Sequence, residues 1–386
     1  MSLRSADTTA RSRRSPWFVL GLAGLVLVLA GCASNAPLDT FAPEGPEART
    51  IMDLVLPVFL VAAVVFVLVE GAIVVIMWKF RQRKNDDDPD GLPPQVHGNT
   101  RLEVGWTVLP AVILAPIAVL TVLTIFDLEE RDADAVPVEV VGNQWWWQFN
   151  YDIDEDGEPD IVTATEMVVP AGRQIDLSIT SNDVVHSFWI PRLNGKRDAV
   201  PGRTHTWSIE ADEPGYYWGQ CTEFCGLSHA EMRMRVVALP PDQYDEWVQS
   251  QMQPAPEPQT ASEARGRDLF AQLCSSCHRN AGLPEDAQPS EDDHPLVAGV
   301  APDLTHFASR RAYAGGIFEL YNDDMTVNRG QLEAWLRNPP AEKAMAPGDN
   351  RGMPNLGLTE PQIDDLVDYL LSTSPDGPVW TGPRND

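Results

Sequence analysis

The fold of this 386-residue chain can be inferred from one stretch, Cys221-Thr-Glu-Phe-Cys225-Gly-Leu-Ser-His229-Ala-Glu-Met232. It brings two thiols, an imidazole and a thioether together, and a second imidazole, that of His186, lies upstream. These soft to borderline ligands favour copper over magnesium or calcium. Because a mononuclear copper site needs only one cysteine, the second cysteine indicates two copper ions bridged by both sulfur atoms. A disulfide or a structural zinc ion would be an alternative, but neither accounts for the aligned histidines and methionine.

Residues 136–240, around this stretch, have the pattern of short β-strands. Apolar and polar residues alternate over 175–179 and over 232–236, as they do in strands with one buried face. Pro-Gly pairs at 201–202 and 214–215 mark turns between strands. We therefore expect a small antiparallel sandwich or barrel that carries the copper ligands.

The copper-ligand run resembles subunit II of heme–copper oxidases. Two other segments share the resemblance, His-Ser-Phe-Trp-Ile-Pro at 186–191 and Lys-Arg-Asp-Ala-Val-Pro-Gly-Arg at 196–203. The resemblance covers residues 50–240 and implies an all-β cupredoxin-like domain with a binuclear copper centre, CuA. It implies two bridging cysteines, two terminal histidines, a weak methionine ligand and one backbone carbonyl: Cys221, Cys225, His186, His229, Met232 and the carbonyl of Glu223. The Glu223 side chain would reach toward a magnesium site shared with subunit I.

Two further residues acquire an expected role from this resemblance. Trp145, the first of three consecutive tryptophans, matches the tryptophan through which electrons enter the family's copper centre. Packing of this aromatic cluster at the membrane interface is the alternative. Glu103 matches the carboxylate at the mouth of the family's K proton pathway. On physical grounds alone it is an acid at the start of a helix, where the helix dipole favours a negative charge.

A second chemical site follows at Cys274-Ser-Ser-Cys277-His278. The pattern C-x-x-C-H is typical of covalent c-type heme attachment, in which two thioethers hold the porphyrin and the adjacent imidazole binds iron. The surrounding residues 262–374 are expected to form an all-α class I cytochrome c domain. The polar, proline-rich residues 241–261 before it are expected to be a semi-extended linker.

The second axial ligand of such a heme should be a methionine well downstream. We expect it to be Met353, because a proline and a strong helix follow it, as in class I cytochromes c. Met345 is the alternative, and Met325 is a weaker candidate. His294 and His306 lie in no recognisable ligand segment and are expected at the surface.

The last helix has a clear start signal. Thr359 followed by Gln362 predicts a capping box, and apolar residues then recur at helical spacing. The residues expected to be buried on this helix are Ile363, Leu366, Val367 and Leu370. Pro302 resembles the family proline that packs on the heme-ligating histidine.

The start of the chain indicates export and membrane insertion. Basic residues, a short apolar run at 17–30 and the ending Leu-Ala-Gly-Cys32 predict a lipoprotein signal peptide with lipidation at Cys32. An ordinary signal peptide with an incidental cysteine is the alternative. Two later apolar runs, 54–77 and 106–126, are long enough to span a bilayer. The lysines and arginines between them place the connecting loop in the cytoplasm, so everything after the second span lies outside.

The predicted chain is therefore multidomain. It comprises a signal peptide (1–31), an exported segment (32–50), a two-helix transmembrane hairpin (51–131), the cupredoxin-like CuA domain (132–240), a linker (241–261), the cytochrome c domain (262–374) and a C-terminal tail (375–386). The expected location is a bacterial cell membrane, with both metal-binding domains on its outer face.

The net charge of −28 argues against a nucleic-acid partner, which would require a basic surface. A CuA subunit fused to cytochrome c resembles the caa type of cytochrome c oxidase. This resemblance implies electron relay from heme c through CuA to subunit I, where oxygen is reduced to water. Subunit III, and a cytochrome bc complex or a cytochrome c as donor, are the other implied partners. A CuA-type nitric oxide reductase and a copper-handling lipoprotein remain alternatives, whereas a quinol oxidase subunit II would lack the copper ligands.

Overall fold

The computed structural model describes residues 36–81, 97–281, 283, 301–345, 351–374 and 376–382, together with Leu20, Gly21 and Gly24. The predicted lipidation site Cys32, most of the predicted signal peptide and His294 lie outside these residues.

Two long helices carry the predicted spans: α1 (Pro46–Lys79) and α2 (Thr100–Leu128). Both are long and apolar enough to cross a membrane, and their apolar side chains point outward along most of their length. Asn99 caps the second helix, since its side chain accepts the backbone N–H groups of Arg101 and Leu102. Glu103 lies exposed in the first turn of this helix, a position that the helix dipole favours for an acid.

Ten strands form the domain that follows. They are β1 (Val136–Asn143), β2 (Trp146–Tyr151), β3 (Ile161–Ala164), β4 (Glu166–Pro170), β5 (Ile175–Ser181), β6 (His186–Phe188), β7 (Arg197–Ala199), β8 (His205–Ile209), β9 (Gly215–Gln220) and β10 (Arg233–Leu239). A five-stranded sheet in the order β3-β2-β1-β5-β8 packs with a three-stranded sheet in the order β4-β10-β9, and β6 pairs with β7. The inward residues of both sheets form one apolar core.

The expectation of purely antiparallel strands is wrong. β1 pairs with β5 in parallel, and so does β4 with β10. Alternation of apolar and polar residues shows that a strand has one buried face, but it carries no information on the direction of the neighbouring strand. In this domain the chain crosses between the sheets, and this brings strands distant in sequence side by side.

The expected semi-extended linker is partly a helix, α3 (Pro241–Gln251). This helix forms because Tyr244 and Trp247 are buried against the sandwich, and the Trp247 ring lies 5.2 Å from that of Tyr151. Of the prolines that suggested an extended chain, Pro241 stands at the first helical position, where proline is tolerated, and the others follow the helix. Residues 253–260 alone keep the expected irregular conformation.

The C-terminal domain contains α4 (Ala261–Leu273), α5 (Arg329–Arg337), the short α6 (Pro339–Glu342) and α7 (Glu360–Ser372). A two-stranded ladder, β11 (Ala312–Tyr313) with β12 (Phe318–Glu319), is a small departure from the all-α expectation. The start of α7 is as predicted, with Gln362 Oε1 accepting the Thr359 N–H at 2.9 Å. The four apolar residues predicted to be buried on this helix are buried.

Candidate functional site

The predicted copper ligands lie together in the cupredoxin-like domain. His186 begins β6, and the other side chains come from the connection between β9 and β10. Cys221 Sγ lies 3.9 Å from Cys225 Sγ and 3.9 Å from His186 Nδ1. Cys225 Sγ lies 3.4 Å from His229 Nδ1 and 3.8 Å from Met232 Sδ.

This donor set fits two thiophilic metal ions. Four of the side chains are buried, and the carbonyl oxygen of Glu223 lies 3.4 Å from Cys221 Sγ. A disulfide requires sulfur atoms about 2.05 Å apart, and the two cysteines are free thiols in this structure. Two thiols, two imidazoles, a thioether and a carbonyl thus converge on one small volume, and this composition matches soft metal ions.

The geometry prepares one thiol for metal binding, since only a thiolate ligates. The hydrogen bond from Cys225 lowers the pKa of the Cys221 thiol, with His186 adding to the effect. The neighbouring Cys225 is affected in the opposite direction, because a hydrogen bond to the Cys221 sulfur raises its pKa. The pair therefore holds one negative charge readily even before a metal binds.

Asp183, which the sequence did not single out, orients His186. Its Oδ1 lies 2.8 Å from His186 Nε2, on the ring edge opposite the cysteines. Burial raises the pKa of Asp183, but hydrogen bonds from His186 and from two backbone N–H groups outweigh it and give a net decrease. Such a carboxylate fixes the tautomer so that Nδ1 remains available as a ligand.

The heme-attachment segment lies at the wall of an apolar cavity of about 330 Å³ that is lined mainly by the C-terminal domain and partly by the cupredoxin-like domain. Helix α4 ends just before it, at Leu273, and His278 Nδ1 donates to the carbonyl of Pro302 at 2.8 Å. This bond leaves Nε2 as the ring nitrogen that can bind a metal. Burial lowers the pKa of His278, and a lower pKa favours the neutral imidazole that binds iron. The residues fit a covalently attached heme.

Two of the three candidate methionines lie at this cavity. Met353 and Met345 both contribute to its wall, and Met325 does not. His306, expected at the surface, is instead buried, with Nε2 lying 2.9 Å from the carbonyl of Gln253. That prediction is wrong because the segment after α3 folds back over this histidine, a contact that the local sequence does not encode.

Arg310 supplies a charge to the same cavity, and no local sequence pattern marks it. It is buried, and one of its amino groups donates to the carbonyl of Asp303 at 2.7 Å. No carboxylate in the described part of the chain forms an ion pair with it, and burial lowers its pKa. A buried cation facing an apolar cavity suits an anionic ligand group such as a heme propionate.

Of the three consecutive tryptophans, the first two reach the cavity and the third packs in the core of the cupredoxin-like domain. Trp145 is 3% exposed, and its indole N–H donates to the carbonyl of the predicted copper ligand Cys225 at 3.1 Å. Trp145 and Trp146 also form part of the cavity wall, whereas Trp147 packs in the core, 5.8 Å from the His186 ring. The tryptophans thus belong to the protein interior rather than to an exposed aromatic belt.

Lys343 joins the same region and was also missed by the sequence analysis. Its ammonium donates to three backbone carbonyls, of Trp145, Ala314 and Glu231. Burial lowers its pKa to about 7. A single lysine in a polar segment carries no recognisable pattern, so only the folded structure reveals it.

Of the two remaining predicted side chains, one lies away from these clusters and the other borders the copper ligands. Glu103 is exposed in the first turn of α2. The Glu223 side chain is half-buried next to the copper ligands, beside Phe224, which is 77% exposed. A third group, Asp152, Asp154 and Asp156, brings carboxylates together, but its oxygen atoms accept backbone N–H groups of its own β-hairpin tip.

Three family models match consecutive parts of the chain. They describe the transmembrane domain of cytochrome c oxidase subunit II over residues 40–123, the periplasmic domain of that subunit over 152–239, and cytochrome c over 263–374.

Curated relatives extend this match over nearly the whole length. Cytochrome c oxidase subunit 2 of Alkalihalophilus pseudofirmus is 34% identical over 361 residues, covering 92% of this chain and 96% of the relative. That of Bacillus sp. strain PS3 is 35% identical over 375 residues, covering 92% and 97%. Quinol oxidase subunit 2 of Bacillus spizizenii is 35% identical over 251 residues, covering 63% and 74%. The chain belongs to the cytochrome c oxidase subunit II family, with a CuA-type periplasmic domain followed by a cytochrome c domain.

Proposed function

We propose that this chain relays electrons in a respiratory terminal oxidase, from a heme c to a CuA centre and then to subunit I, where oxygen is reduced to water. The heme would be held by Cys274, Cys277, His278 and Met353, and the copper ions by the ligand set described above. Reversible one-electron chemistry is what these two groups supply. The chain alone carries electron transfer only, and oxygen chemistry belongs to the complex.

One observation carries this proposal: Trp145 contacts both sites. Its ring lies in the wall of the heme cavity, and its indole N–H bonds to the carbonyl of Cys225. The two donor sets are therefore separated by a single buried aromatic residue. This placement supports the role that the family resemblance implies for Trp145, with electrons arriving from the cytochrome domain of the same chain.

The residues around each site would control the electrostatic surroundings of the bound heme and copper ions. The cavity wall is mostly apolar, and His278, Met353 and Arg310 would set the ligation and the electrostatic surroundings of a bound heme. Asp183 keeps His186 in one tautomer, and the buried cysteines keep the copper charge away from solvent. A rigid, dry site changes little when an electron arrives or leaves, and this favours fast transfer.

The surface next to the copper ligands is proposed to face subunit I. Glu223 would extend toward a magnesium ion shared with that subunit, and the exposed Phe224 beside it would contact protein rather than water. Glu103, in the first turn of α2, would deliver protons to the K pathway of subunit I. Subunit III would be a further partner within the complex.

The two helices are proposed to span the membrane as a hairpin with both metal-binding domains outside, and Cys32 would be the lipidated N-terminus of the mature protein.

A cytochrome bc complex or a cytochrome c would be the electron donor. The net charge of −28 would attract a basic cytochrome at low ionic strength.

The proposal is tested on the purified complex that contains this chain, with a reduced c-type donor. Oxygen uptake and nitric oxide uptake are measured in parallel for the wild type and for Cys221→Ser. We expect fast oxygen uptake by the wild type and its loss in the variant, because removing one bridging sulfur prevents assembly of a binuclear site. The heme c absorbance of the variant serves as the control for an intact cytochrome domain.

Other results would contradict the proposal. Nitric oxide turnover without oxygen turnover would identify a nitric oxide reductase instead. Oxygen uptake that is indifferent to Cys221→Ser would mean that the copper site is not on the electron path.

A further inference from the structure

Lys343 connects the two metal-binding domains through backbone atoms. It follows α6, and its ammonium donates to the carbonyl of Trp145 at 2.7 Å, of Ala314 at 2.9 Å and of Glu231 at 3.0 Å. Trp145 and Glu231 belong to the cupredoxin-like domain, whereas Ala314 belongs to the cytochrome domain. An ammonium has three N–H donors, so all three are used at this junction.

Each of these carbonyls belongs to a segment that matters for the relay. Trp145 holds its indole against the Cys225 carbonyl. Glu231 immediately precedes the predicted copper ligand Met232. Ala314 begins the turn Ala314-Gly315-Gly316, which approaches the copper-ligand loop so closely that the Gly315 carbonyl accepts the backbone N–H of Arg233 at 2.8 Å.

The junction is closely packed around the Lys343 ammonium. Gly315 has φ +76°, and a Cβ there would lie 2.8 Å from the Trp145 carbonyl oxygen and 2.9 Å from that of Glu231. On the other side of Lys343, the next residue, Ala344, accepts a hydrogen bond from Ser228 at 2.8 Å. Lys343 thus fills a closed position between backbone segments.

Burying an ammonium in this way costs free energy unless it is well compensated. No carboxylate in the described part of the chain forms an ion pair with Lys343; its partners there are carbonyl dipoles. A methionine or leucine would fill the same volume without this cost, but it would leave three buried carbonyls without donors. The arrangement therefore serves to hold these three segments at fixed distances from one another.

We propose that Lys343 is a positioning residue for electron transfer between the two sites, fixing the wall of the heme cavity against Trp145 and the copper-ligand loop. This inference rests on the proposed relay function. It predicts that the loss of the ammonium slows transfer between the sites without changing either site itself.

The test uses Lys343→Met in the complete oxidase complex, with Arg337→Met as the matched control. Arg337 lies in the same domain and pairs with Glu360 at the surface. A flash-activated ruthenium dye reduces heme c, and the decay of reduced heme c is followed together with the reduction of CuA. We expect at least a roughly tenfold slower transfer in Lys343→Met, since a misplacement of about 1 Å can cost about 100-fold in a geometry-dependent step. Arg337→Met should match the wild type.

Two further measurements separate positioning from other causes. The midpoint potentials of heme c and CuA should be unchanged, and hydrogen exchange at the Arg233 amide should be faster in Lys343→Met. If that variant does not assemble, Ser228→Ala removes the neighbouring hydrogen bond and should slow transfer in the same direction by a smaller factor.

Defined results would overturn the inference. A wild-type rate in Lys343→Met, an equal loss in Arg337→Met, or a slowing fully explained by shifted potentials would each do so. A wild-type complex that does not transfer electrons from heme c to CuA would instead refute the proposed function.

Discussion

At the scale of the residue, two methionines of the cavity wall, Met345 and Met353, are candidates for the second axial ligand of the heme. Met353 packs against the apolar core of the cytochrome domain, whereas Met345 follows Lys343 and lies against Gly352. The segment around Met345 is held to the cupredoxin-like domain by side-chain hydrogen bonds, from Ser228 to the carbonyl of Ala344 and from Lys343 to the carbonyl of Trp145. Met353 packs within the cytochrome domain, and its position does not depend on contacts with the other domain. We therefore expect Met353 to be the axial ligand.

The matched pair Met353→Leu and Met345→Leu tests this assignment. Methionine ligation raises the reduction potential of heme c, so Met353→Leu should lower the potential and abolish the thioether–iron absorbance band. Met345→Leu should keep both. A redox titration with optical detection decides between them, and the opposite pattern would make Met345 the ligand.

The individual ligands could largely be predicted from sequence, because short spacings such as Cys221 to Cys225 and Cys274 to His278 are local. Asp183, Arg310 and Lys343 could not. Their importance arises from contacts with residues distant in the chain, and a single charged residue has no local pattern that distinguishes it from a solvated one.

At the scale of the element, helices α4 and α7 cross with their backbones nearly in contact. A Cβ at Gly266 would collide with the carbonyl oxygen of Asp365 and would lie 2.7 Å from Tyr369 Cβ. The sequence analysis predicted the second of these helices with its capping box, and for the first it predicted only an all-α domain. It gave no reason for a glycine inside α4, since the reason is the approach of the other helix.

Gly266→Ala should therefore destabilise the cytochrome domain by about 1–3 kcal/mol, the usual cost of overpacking a filled contact. Gly330→Ala is the matched control, because nothing lies within 4 Å of a Cβ at that position in α5. There the alanine should stabilise by about 0.5–1 kcal/mol. Denaturant unfolding of the holoprotein, followed by heme absorbance, measures both. Equal stability of the two variants would contradict the described crossing.

At the scale of the whole molecule, a buried network of charges joins the two domains. Glu166, 2% exposed, accepts the backbone N–H groups of Arg311 and Ala312 from the cytochrome domain. Arg235, 1% exposed, bonds across to Glu319 and lies 3.6 Å from Glu166. The two domains therefore share one interface instead of moving independently on a linker.

Arg235→Met should release this interface. Breaking a buried ion pair costs about 3–5 kcal/mol, and here Glu166 would stay buried without its positively charged neighbour. We expect the cytochrome domain to unfold in a separate, earlier thermal transition, which heme circular dichroism would detect. Arg265→Met removes an exposed pair with Asp365 and should leave the unfolding profile unchanged. A single unaltered transition in Arg235→Met would argue against the interface.

The order of the domains could be predicted from the sequence, but their docking could not. Composition and motifs identify each domain separately. The docking depends on contacts such as that between Glu166 and the backbone N–H of Arg311, which are far apart in the sequence. Proline-rich residues before the cytochrome domain suggested a loose connection, and apolar contacts of Tyr244 and Trp247 convert much of it into a packed helix.

The burial of Trp145 also decides where selectivity for a redox partner can lie. Because Trp145 is 3% exposed, a diffusing protein cannot contact it, so electron entry through Trp145 is open only to the cytochrome domain of the same chain. In the proposed relay every electron would then pass the heme first. Recognition of the outside donor would consequently be confined to the free surface of the cytochrome domain. Substitutions on that surface could exchange one donor for another and leave the copper domain and its contacts with subunit I unchanged.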